Sequence, residues 1–247
     1  MSIERAAELL ARARRGIALT GAGVSAESGI PTFRGEGGLW TKYDPVKVSS
    51  IESFLADPES YWQVSKERGS VALAAKPNAG HIALAALEAR GNLVAIVTQN
   101  TDGLHQDSGA TTVIELHGSG RKVQCLECGS IETRRQVQDR LSVEMPPRCR
   151  SCGSALLKPT VVLFGEPMPV DAVQSANTLA QNADVMLVVG TSLVVYPAAE
   201  IPLVAVRAGA PMIVINAEPT PFDRFAEVVI HGRSGEVLPK IVQLIGE

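Results

Sequence analysis

The chain has 247 residues, 45% of them hydrophobic, and a formal net charge of −3, which suits one sizeable core with a small additional domain. The mildly acidic balance disfavours a protein that coats nucleic acid, since such proteins are usually basic. No apolar run reaches the ~18–20 residues of a membrane span, and the N-terminus has no signal-peptide core, so we expect a cytoplasmic protein without membrane or nucleic-acid partners.

Hydrophobic periodicity predicts that helices and buried strands alternate along most of the chain. An amphipathic helix comes first, and the stretch "GIALTGAG" from Gly16 is the first predicted strand. Further strands are predicted over 92–100, 113–118, 183–192, 210–218 and 227–232. Apolar strands that alternate with helices are typical of a parallel sheet covered on both faces. The predicted fold is therefore α/β, with a Rossmann-like parallel sheet whose ligands bind beyond the carboxyl ends of its strands.

Two stretches interrupt this alternation and are interpreted as insertions. Residues 36–77 are helix-like and carry several aromatic side chains, and residues 119–158 contain all four cysteines. We expect the two insertions to form the smaller domain together. The Rossmann-like sheet domain is then expected to comprise residues 1–35, 78–118 and 159–247.

The four cysteines form two Cys-x-x-Cys pairs. Cys125 and Cys128 are followed, twenty residues later, by Cys149 and Cys152, and a Gly-Ser pair follows each knuckle. Four thiolates satisfy tetrahedral zinc and leave no open position, which indicates one structural zinc in a ribbon-like insertion. Two redox pairs, or four buried thiols, are the alternative. A zinc ribbon can also bind nucleic acid, but the acidic balance disfavours that reading.

The stretch "TGAGVSAESGIPTFRG" begins like a dinucleotide-binding fingerprint, with Gly21, Gly23 and an alanine in place of the third glycine. A glycine loop of this kind lets backbone amides and a helix N-terminus approach a pyrophosphate. Gly29 and Pro31 are expected to end the following helix early. An oxidoreductase of the usual kind needs a second buried strand with an acidic end about twenty residues further on, and the sequence after Gly35 predicts none.

His117 is the histidine that the sequence marks for catalysis. It ends a predicted buried strand and immediately precedes the cysteine insertion, which places it at the edge of the sheet where two domains meet. Histidine is the usual side chain for proton transfer near neutral pH. His81 is expected to pack or to cap a helix, and for His105 a structural role is at least as well supported as a catalytic one.

Eight motifs, taken in order, resemble those of the sirtuins, which are NAD-dependent protein deacylases. The motifs are "GAGVSAESGIPTFRG", "GLW", "TQNTDGLH", "LHGS", the paired Cys-x-x-Cys, "LKPTVVLFGE", "GTSLVVYPAA" and "INAEPTP". The resemblance covers nearly the whole chain. It implies that NAD is consumed as a co-substrate: the acyl group of an acyl-lysine moves to ADP-ribose and nicotinamide leaves. It also implies acyl-lysine proteins as substrates and one structural zinc per chain.

The resemblance further implies which residues do this work. His117 matches the catalytic histidine, and Asn100 and Asp102 match residues that hold the nicotinamide and its ribose. The NAD-contacting residues implied are Gly21, Ala22, Gly23, Glu27, Pro31, Thr32, Phe33, Arg34, Trp40, Gln99, Asn100, Thr101, Asp102, Gly190, Thr191, Ser192, Asn216, Ala217, Glu218 and Ser234. The strand implied to pair with the substrate peptide comprises Val161, Val162, Leu163, Phe164, Gly165 and Glu166.

One departure concerns the choice of acyl group. Some relatives use a tyrosine, followed three residues later by an arginine, to grip acidic acyl groups. Arg68 falls on the arginine position, but Ser65 falls on the tyrosine position and Tyr61 is one helical turn too early. We therefore expect deacetylation. Desuccinylation or demalonylation, mono-ADP-ribosyl transfer and a non-catalytic ADP-ribose-binding role remain the alternatives.

Overall fold

The computed structural model describes residues 2–33, Gly38, Thr41 and 44–246. Arg34 and Trp40, both proposed NAD contacts, lie outside these described residues. The α-helices are α1 (Ser2–Arg12), α2 (Pro45–Ser49), α3 (Ile51–Ala56), α4 (Pro58–Ala74), α5 (Ala79–Ala89), α6 (Leu104–Asp107), α7 (Arg134–Arg140), α8 (Val170–Asn182), α9 (Ile201–Arg207) and α10 (Ser234–Gly246). The strands are β1 (Gly16–Thr20), β2 (Leu93–Thr98), β3 (Val113–Glu115), β4 (Gly118–Cys125), β5 (Ile131–Thr133), β6 (Leu157–Val161), β7 (Met186–Val189), β8 (Met212–Asn216) and β9 (Val228–His231).

Six of the strands form a parallel sheet in the order β3-β2-β1-β7-β8-β9. Helices α1, α5 and α10 cover one face with an apolar cluster, and α8 and α9 cover the other with a second cluster. The predicted Rossmann-like sheet is therefore confirmed. Strand order runs outward in both directions from the β1–β7 pair, and ligands of such sheets bind where the order reverses.

The sheet's carboxyl edge is level across its central strands. Thr20 at the end of β1 is paired with Thr98 at the end of β2 and with Val189 at the end of β7. The predicted third strand is shorter than expected, because β3 ends at Glu115. His117 consequently lies in the turn that connects β3 to β4, one residue before the second sheet begins.

The second sheet is small and antiparallel, in the order β5-β4-β6. Phe54 of α3 and Trp62 of α4 are fully buried against Val123 and Leu157 of this sheet. The Trp62 indole nitrogen donates to the Leu157 carbonyl oxygen over 2.9 Å. The helical segment and the cysteine-bearing segment thus share one core, which supports our proposal that they form a single small domain.

Among the helices of the described residues, none is both long and apolar enough to cross a bilayer.

Candidate functional site

A cavity of about 1740 Å³ runs along the carboxyl edge of the parallel sheet and continues between α4 and the small sheet. Its walls include every residue to which the sequence assigned catalysis, NAD binding or substrate binding, apart from the two that fall outside the described part of the chain. The structure therefore gathers residues from both ends of the sequence around one space.

Glycines let the first loop pack directly against the loop after β7. A Cβ on Gly23 would lie 2.8 Å from the Gly190 Cα, and one on Gly21 would lie 2.7 Å from the Thr191 Cβ. Gly190 itself has a φ of 60°, which favours glycine. The amide of Gly23 donates to the Gly190 carbonyl over 2.8 Å. These glycines are therefore required for the contact between the two loops, and the Gly23 amide is already used in holding the loops together.

The helix after this loop is short, as the sequence predicted. It is a 3₁₀ helix over Ala22–Ser28, and Gly29 terminates it with a φ of 83°. Glu27 on this helix accepts a hydrogen bond from the Gly235 amide at 2.8 Å, and Ser234 Oγ lies 3.4 Å from the same carboxylate oxygen. Glu27 and Ser234 therefore meet, although 207 residues separate them.

A hydrogen-bond network holds the polar side chains that follow β2. Asn100 Nδ2 donates to the Gly21 carbonyl and to Ser25 Oγ, both over 3.1 Å. Ser25 Oγ donates in turn to Asp102 Oδ2 over 2.7 Å. Gln99 Nε2 donates to Thr191 Oγ1 over 3.0 Å. The orientation of these side chains is fixed because each bond ties one strand end to a neighbouring loop.

His117 is held in one tautomer. Its Nδ1 lies 3.1 Å from the Gln99 carbonyl oxygen, and because a carbonyl can only accept, Nδ1 carries the proton. Nε2 is then left with a free lone pair. Burial lowers the pKa of His117 below its ordinary value of 6.5, and the hydrogen bond to Gln99 opposes this shift. The side chain is thus a neutral base at neutral pH.

The other two histidines near the network have structural roles. His81 caps α5 by accepting from the Asn78 amide at Nδ1 over 3.3 Å, and its Nε2 lies 3.4 Å from Ser25 Oγ. His105 Nε2 lies 2.9 Å from Thr20 Oγ1 at the end of β1. Burial lowers the pKa of His81 and takes that of His105 to about 3. Both imidazoles therefore stay neutral.

The segment Val161–Glu166 is only partly the strand that the sequence predicted. Strand β6 ends at Val161, and the residues after it form a turn. The Phe164 amide donates to the Ser49 carbonyl over 2.8 Å, and the Phe164 carbonyl accepts from the Ile51 amide over 3.0 Å. The expected strand through Glu166 is wrong because α2 and α3 have already taken the backbone groups of Phe164.

A buried ion pair shapes this turn. Lys158 Nζ donates to the Val161 carbonyl over 2.8 Å and lies 2.9 Å from Glu166 Oε2. The same carboxylate oxygen accepts from the Leu163 amide over 2.8 Å. The Lys158 side chain is 8% exposed, and a charge buried this deeply stabilises a structure only with its partner in place.

Beyond the turn, the cavity continues between α4 and α7. Arg68 lies with its guanidinium 5.5 Å from the centre of the Phe33 ring. Tyr61 also lines this end of the cavity, although its sequence position suggested otherwise. Burial raises the pKa of Tyr61, and Arg134 and Arg68 oppose that shift. Tyr61, Arg68 and Arg134 therefore line the same end of the cavity, and the choice of acyl group stays a prediction.

The four cysteines fit a tetrahedral zinc ion. Their Sγ atoms all lie within 4.8 Å of one another, and the Cys125–Cys152 and Cys128–Cys149 distances are both 3.6 Å. Zinc–sulfur bonds of about 2.3 Å in a tetrahedron require sulfur separations of roughly 3.8 Å. None of the four cysteines forms a disulfide. A glycine with a positive φ follows each knuckle: Gly129 at 73° and Gly153 at 79°.

Several residues that line the cavity or support its wall were missed from the sequence. Ser25 lies inside the glycine motif, so its position offered a signal that was not used. Lys158 stands in "LKPTVVLFGE" and was read as part of a motif only. Arg134 gave no signal, because "ETRRQVQDR" reads as a polar helix and nothing in it reveals a buried arginine.

These features define an NAD-binding α/β protein with an inserted zinc ribbon. The model of the Sir2 family matches residues 21–197, and the chain belongs to this family. It is 51% identical over 241 residues to the "NAD-dependent protein deacylase 2" of Archaeoglobus fulgidus, a match that covers 98% of this chain and 95% of that protein. The resemblance stated from the motifs is therefore confirmed.

Solved structures of Sir2 proteins have the same fold as this chain. A Sir2 variant in complex with deacetylated p53 peptide and 3′-O-acetyl ADP-ribose superposes with a TM-score of 0.94 at 40% identity, covering 98% of each chain. The structure of Sir2Af2 bound to a myristoylated histone peptide superposes with a TM-score of 0.85 at 42% identity and covers 99% of this chain and 96% of that one.

Proposed function

We propose that the protein is an NAD-dependent protein-lysine deacylase, in which the acyl group of an acyl-lysine is transferred to ADP-ribose and nicotinamide is released. The observation that carries this proposal is His117. It is a neutral base with Nδ1 on a backbone carbonyl, and it lies in the wall of a cavity that contains the cofactor loop and the turn after β6.

The residues present fit both NAD and zinc. Gly21, Gly23 and Gly190 let two loops pack in direct contact, and these loops line the cavity where backbone amides and a helix N-terminus would approach a pyrophosphate. Glu218 follows the end of β8 and offers a carboxylate to ribose hydroxyls. The four cysteines would hold one zinc as a closed structural site.

Bound NAD supplies the ribose hydroxyl that accepts the acyl group and the nicotinamide that leaves. His117 Nε2 takes the proton of that hydroxyl, because its other nitrogen is committed to Gln99. Asn100 and Asp102 orient the ribose and the carboxamide, and Ser25 keeps both in place. Phe33, over which Arg68 lies, excludes water from the reacting face.

The substrates we propose are proteins that carry acyl-lysine in an extended segment. The relatives whose structures hold p53 and histone peptides support this class. Backbone pairing of such a segment next to Val161 would tolerate many sequences. The four reduced cysteines favour a reducing compartment, and we propose the cytoplasm.

The test is incubation of the zinc-loaded protein with NAD and an acetyl-lysine peptide, with the products read by mass. Deacylation predicts free lysine, nicotinamide and O-acetyl-ADP-ribose in equal amounts. ADP-ribose attached to the peptide would instead identify a mono-ADP-ribosyltransferase. Reduced cofactor would identify an oxidoreductase, and binding of ADP-ribose without turnover would identify a non-catalytic module.

A further inference from the structure

Strand β4 of the small domain leaves its partner β6 soon after it begins. The two strands pair at Ser119 and Thr160, and the next pair is Val123 with Pro159, so the register skips three residues of β4. These residues, Gly120–Lys122, form a bulge that we call the β4 bulge. Bulges bend a strand and redirect its side chains, and they are common next to active sites. The β4 bulge lies where the small domain meets the loop after β2.

The β4 bulge holds this loop by two consecutive backbone carbonyls. The Gly120 amide donates to the Thr101 carbonyl over 2.7 Å, and Arg121 Nε donates to the Asp102 carbonyl over 3.0 Å. The small domain therefore fixes the backbone at these two positions, although the loop itself extends from the parallel sheet. The Asp102 carboxylate is oriented by separate contacts, one of which is a hydrogen bond that Oδ1 accepts from the Leu104 amide over 2.9 Å.

Arg121 also contacts the far end of α6, the short helix that begins at Leu104. Its guanidinium donates to both carboxylate oxygens of Asp107, and the Nη1–Oδ1 distance is 2.8 Å. These hydrogen bonds are the principal reason that the pKa of Arg121 is raised; burial opposes the shift, and the charges of Asp102 and Glu115 add to it. One guanidinium therefore links Asp102, which lies shortly before α6, to Asp107, which ends it.

The chain makes room for this guanidinium at Gly103. Gly103 has a φ of 74°, which favours glycine, and a Cβ at this position would overlap Nε of Arg121. The Arg121 and Asp107 side chains are each 42% exposed, and an exposed ion pair contributes little to stability. The main consequence of the contact is therefore the position in which it holds Asp102.

We propose that Arg121 is a positioning residue for the nicotinamide half of NAD and that it acts through Asp102. Arg121 and Asp102 both line the cavity that contains His117. The Asp102 carboxylate is the acceptor proposed for the nicotinamide carboxamide, and such a contact needs a supporting residue that keeps the acceptor in place. Loss of that support weakens the binding of nicotinamide and leaves the ADP-ribose and acyl-peptide contacts unchanged. This inference rests on the proposed deacylase function.

The test compares ligands that contain nicotinamide with one that does not. Calorimetry gives the dissociation constants of NAD and of ADP-ribose, and product inhibition of the acetyl-lysine peptide reaction gives the inhibition constant of nicotinamide. Arg121→Met should weaken both NAD and nicotinamide by about fivefold, which is typical for the loss of one hydrogen bond. The dissociation constant of ADP-ribose and KM for the acetyl-lysine peptide should stay unchanged.

Arg121→Lys separates the hydrogen bond from the ion pair. Lysine keeps the charge that Asp107 attracts, but a single ammonium group cannot reproduce the guanidinium fork that reaches Asp107 and the Asp102 carbonyl together. We therefore expect Arg121→Lys to lose as much nicotinamide affinity as Arg121→Met. Wild-type affinity in the lysine variant would show that the ion pair alone is sufficient, and the inference would be wrong.

Lys122→Met is the matched control, because Lys122 is the next residue of the β4 bulge and is also exposed. It removes the same charge and should leave all four constants unchanged. If Arg121→Met weakens NAD and ADP-ribose equally, then Arg121 supports the fold as a whole; if it weakens neither, then it forms only a surface ion pair. Either result contradicts the inference. The melting temperature of each variant should change little, since the pair is exposed.

The proposed function can fail separately. If the wild type releases no nicotinamide from NAD with any acyl-lysine peptide, the deacylase proposal is contradicted. The calorimetric comparison of NAD with ADP-ribose needs no turnover, so it still decides whether Arg121 positions the nicotinamide site.

Discussion

The two walls of the cavity consist of different kinds of side chain. On the sheet side, neutral side chains such as Asn100 and Gln99 form hydrogen bonds to neighbouring loops at the ends of strands that are in register. On the small-domain side, charged side chains are buried in a unit with a much smaller core: Arg134 lines the cavity, and Lys158 lies behind the turn that lines it. The sheet wall follows from the main fold, whereas the other wall depends on two insertions and a metal. A substitution in one wall should therefore leave the structure and binding role of the other wall intact, and the following predictions test this.

The largest effect should come from removing zinc. The small domain has one compact apolar cluster that includes Cys125 and Cys149 themselves, whereas the parallel sheet is covered by two larger clusters. Structural zinc contributes on the order of 10 kcal/mol to domains of this kind. Cys128→Ala should release the metal and abolish amide-exchange protection over residues 118–161, while β1, β2 and β7 stay protected.

Metal content and hydrogen exchange measured by mass spectrometry check this prediction. Ser154→Ala, which lies beside the knuckle but contributes no thiolate, serves as the control. A well-folded protein without zinc, or loss of protection in both domains together, would show that the two walls are not independent.

His117→Ala should have the next largest effect, because this residue forms hydrogen bonds to both walls of the cavity. Its side chain contacts the Gln99 carbonyl, and its own carbonyl accepts from the Val162 amide over 2.8 Å. Removal of a general base costs about 100- to 10,000-fold in rate. We expect kcat for deacylation to fall by that factor, while NAD affinity, measured by calorimetry, changes little. Unchanged turnover would remove His117 from the catalytic role.

Lys158→Met should act on the small-domain wall alone. It leaves the Glu166 carboxylate without its counter-charge, at an expected cost of about 2–3 kcal/mol in the free energy of unfolding. Because the pair fixes the turn after Val161, KM for the acyl peptide should rise several-fold while KM for NAD stays constant. Lys122→Met, an exposed lysine on β4, is the control. Equal changes in both KM values would contradict a role confined to this turn.

The smallest effect is a displaced pH profile. Burial lowers the pKa of His117 below 6.5, and the proposed base works in its neutral form. Lowering the pH therefore protonates it later than an ordinary histidine, so kcat/KM should persist below pH 6.5 before it declines. The acid limb of the kcat/KM profile measures this, with circular dichroism at each pH to exclude unfolding. An inflection above 6.5 would contradict the buried environment.

Much of the fold could be predicted from periodicity. The four central strands of the parallel sheet are buried on both faces, so they read as continuous apolar runs. All six strands of this sheet were predicted. Their ends were less predictable. Strand β3 stops at Glu115 because the chain must turn there to enter the small sheet, and that turn depends on contacts far along the sequence.

Some residues of the candidate site could likewise be predicted from the sequence, and others could not. Motifs that combine a need for glycine with polar side chains, such as those at Gly21 and Asn100, could be predicted because they directly follow buried apolar runs, at the edge of the sheet where ligands bind. Tyr61 was excluded by counting positions along α4, and Arg134 was not considered. The contacts of Tyr61 and Arg134 could not be predicted, since the spacing of residues along a helix does not reveal which neighbouring element packs against a given turn.

By itself the sequence determined the parallel sheet, the four zinc ligands and the residues that follow the strand ends, because each depends on a local pattern of hydrophobicity, spacing or backbone freedom. Only the tertiary structure decided the tautomer of His117, the shared core of the two insertions and the burial of Arg134. Those features arise where segments distant in the chain meet, and the hydrogen bonds and desolvation that fix them exist only after the chain has folded.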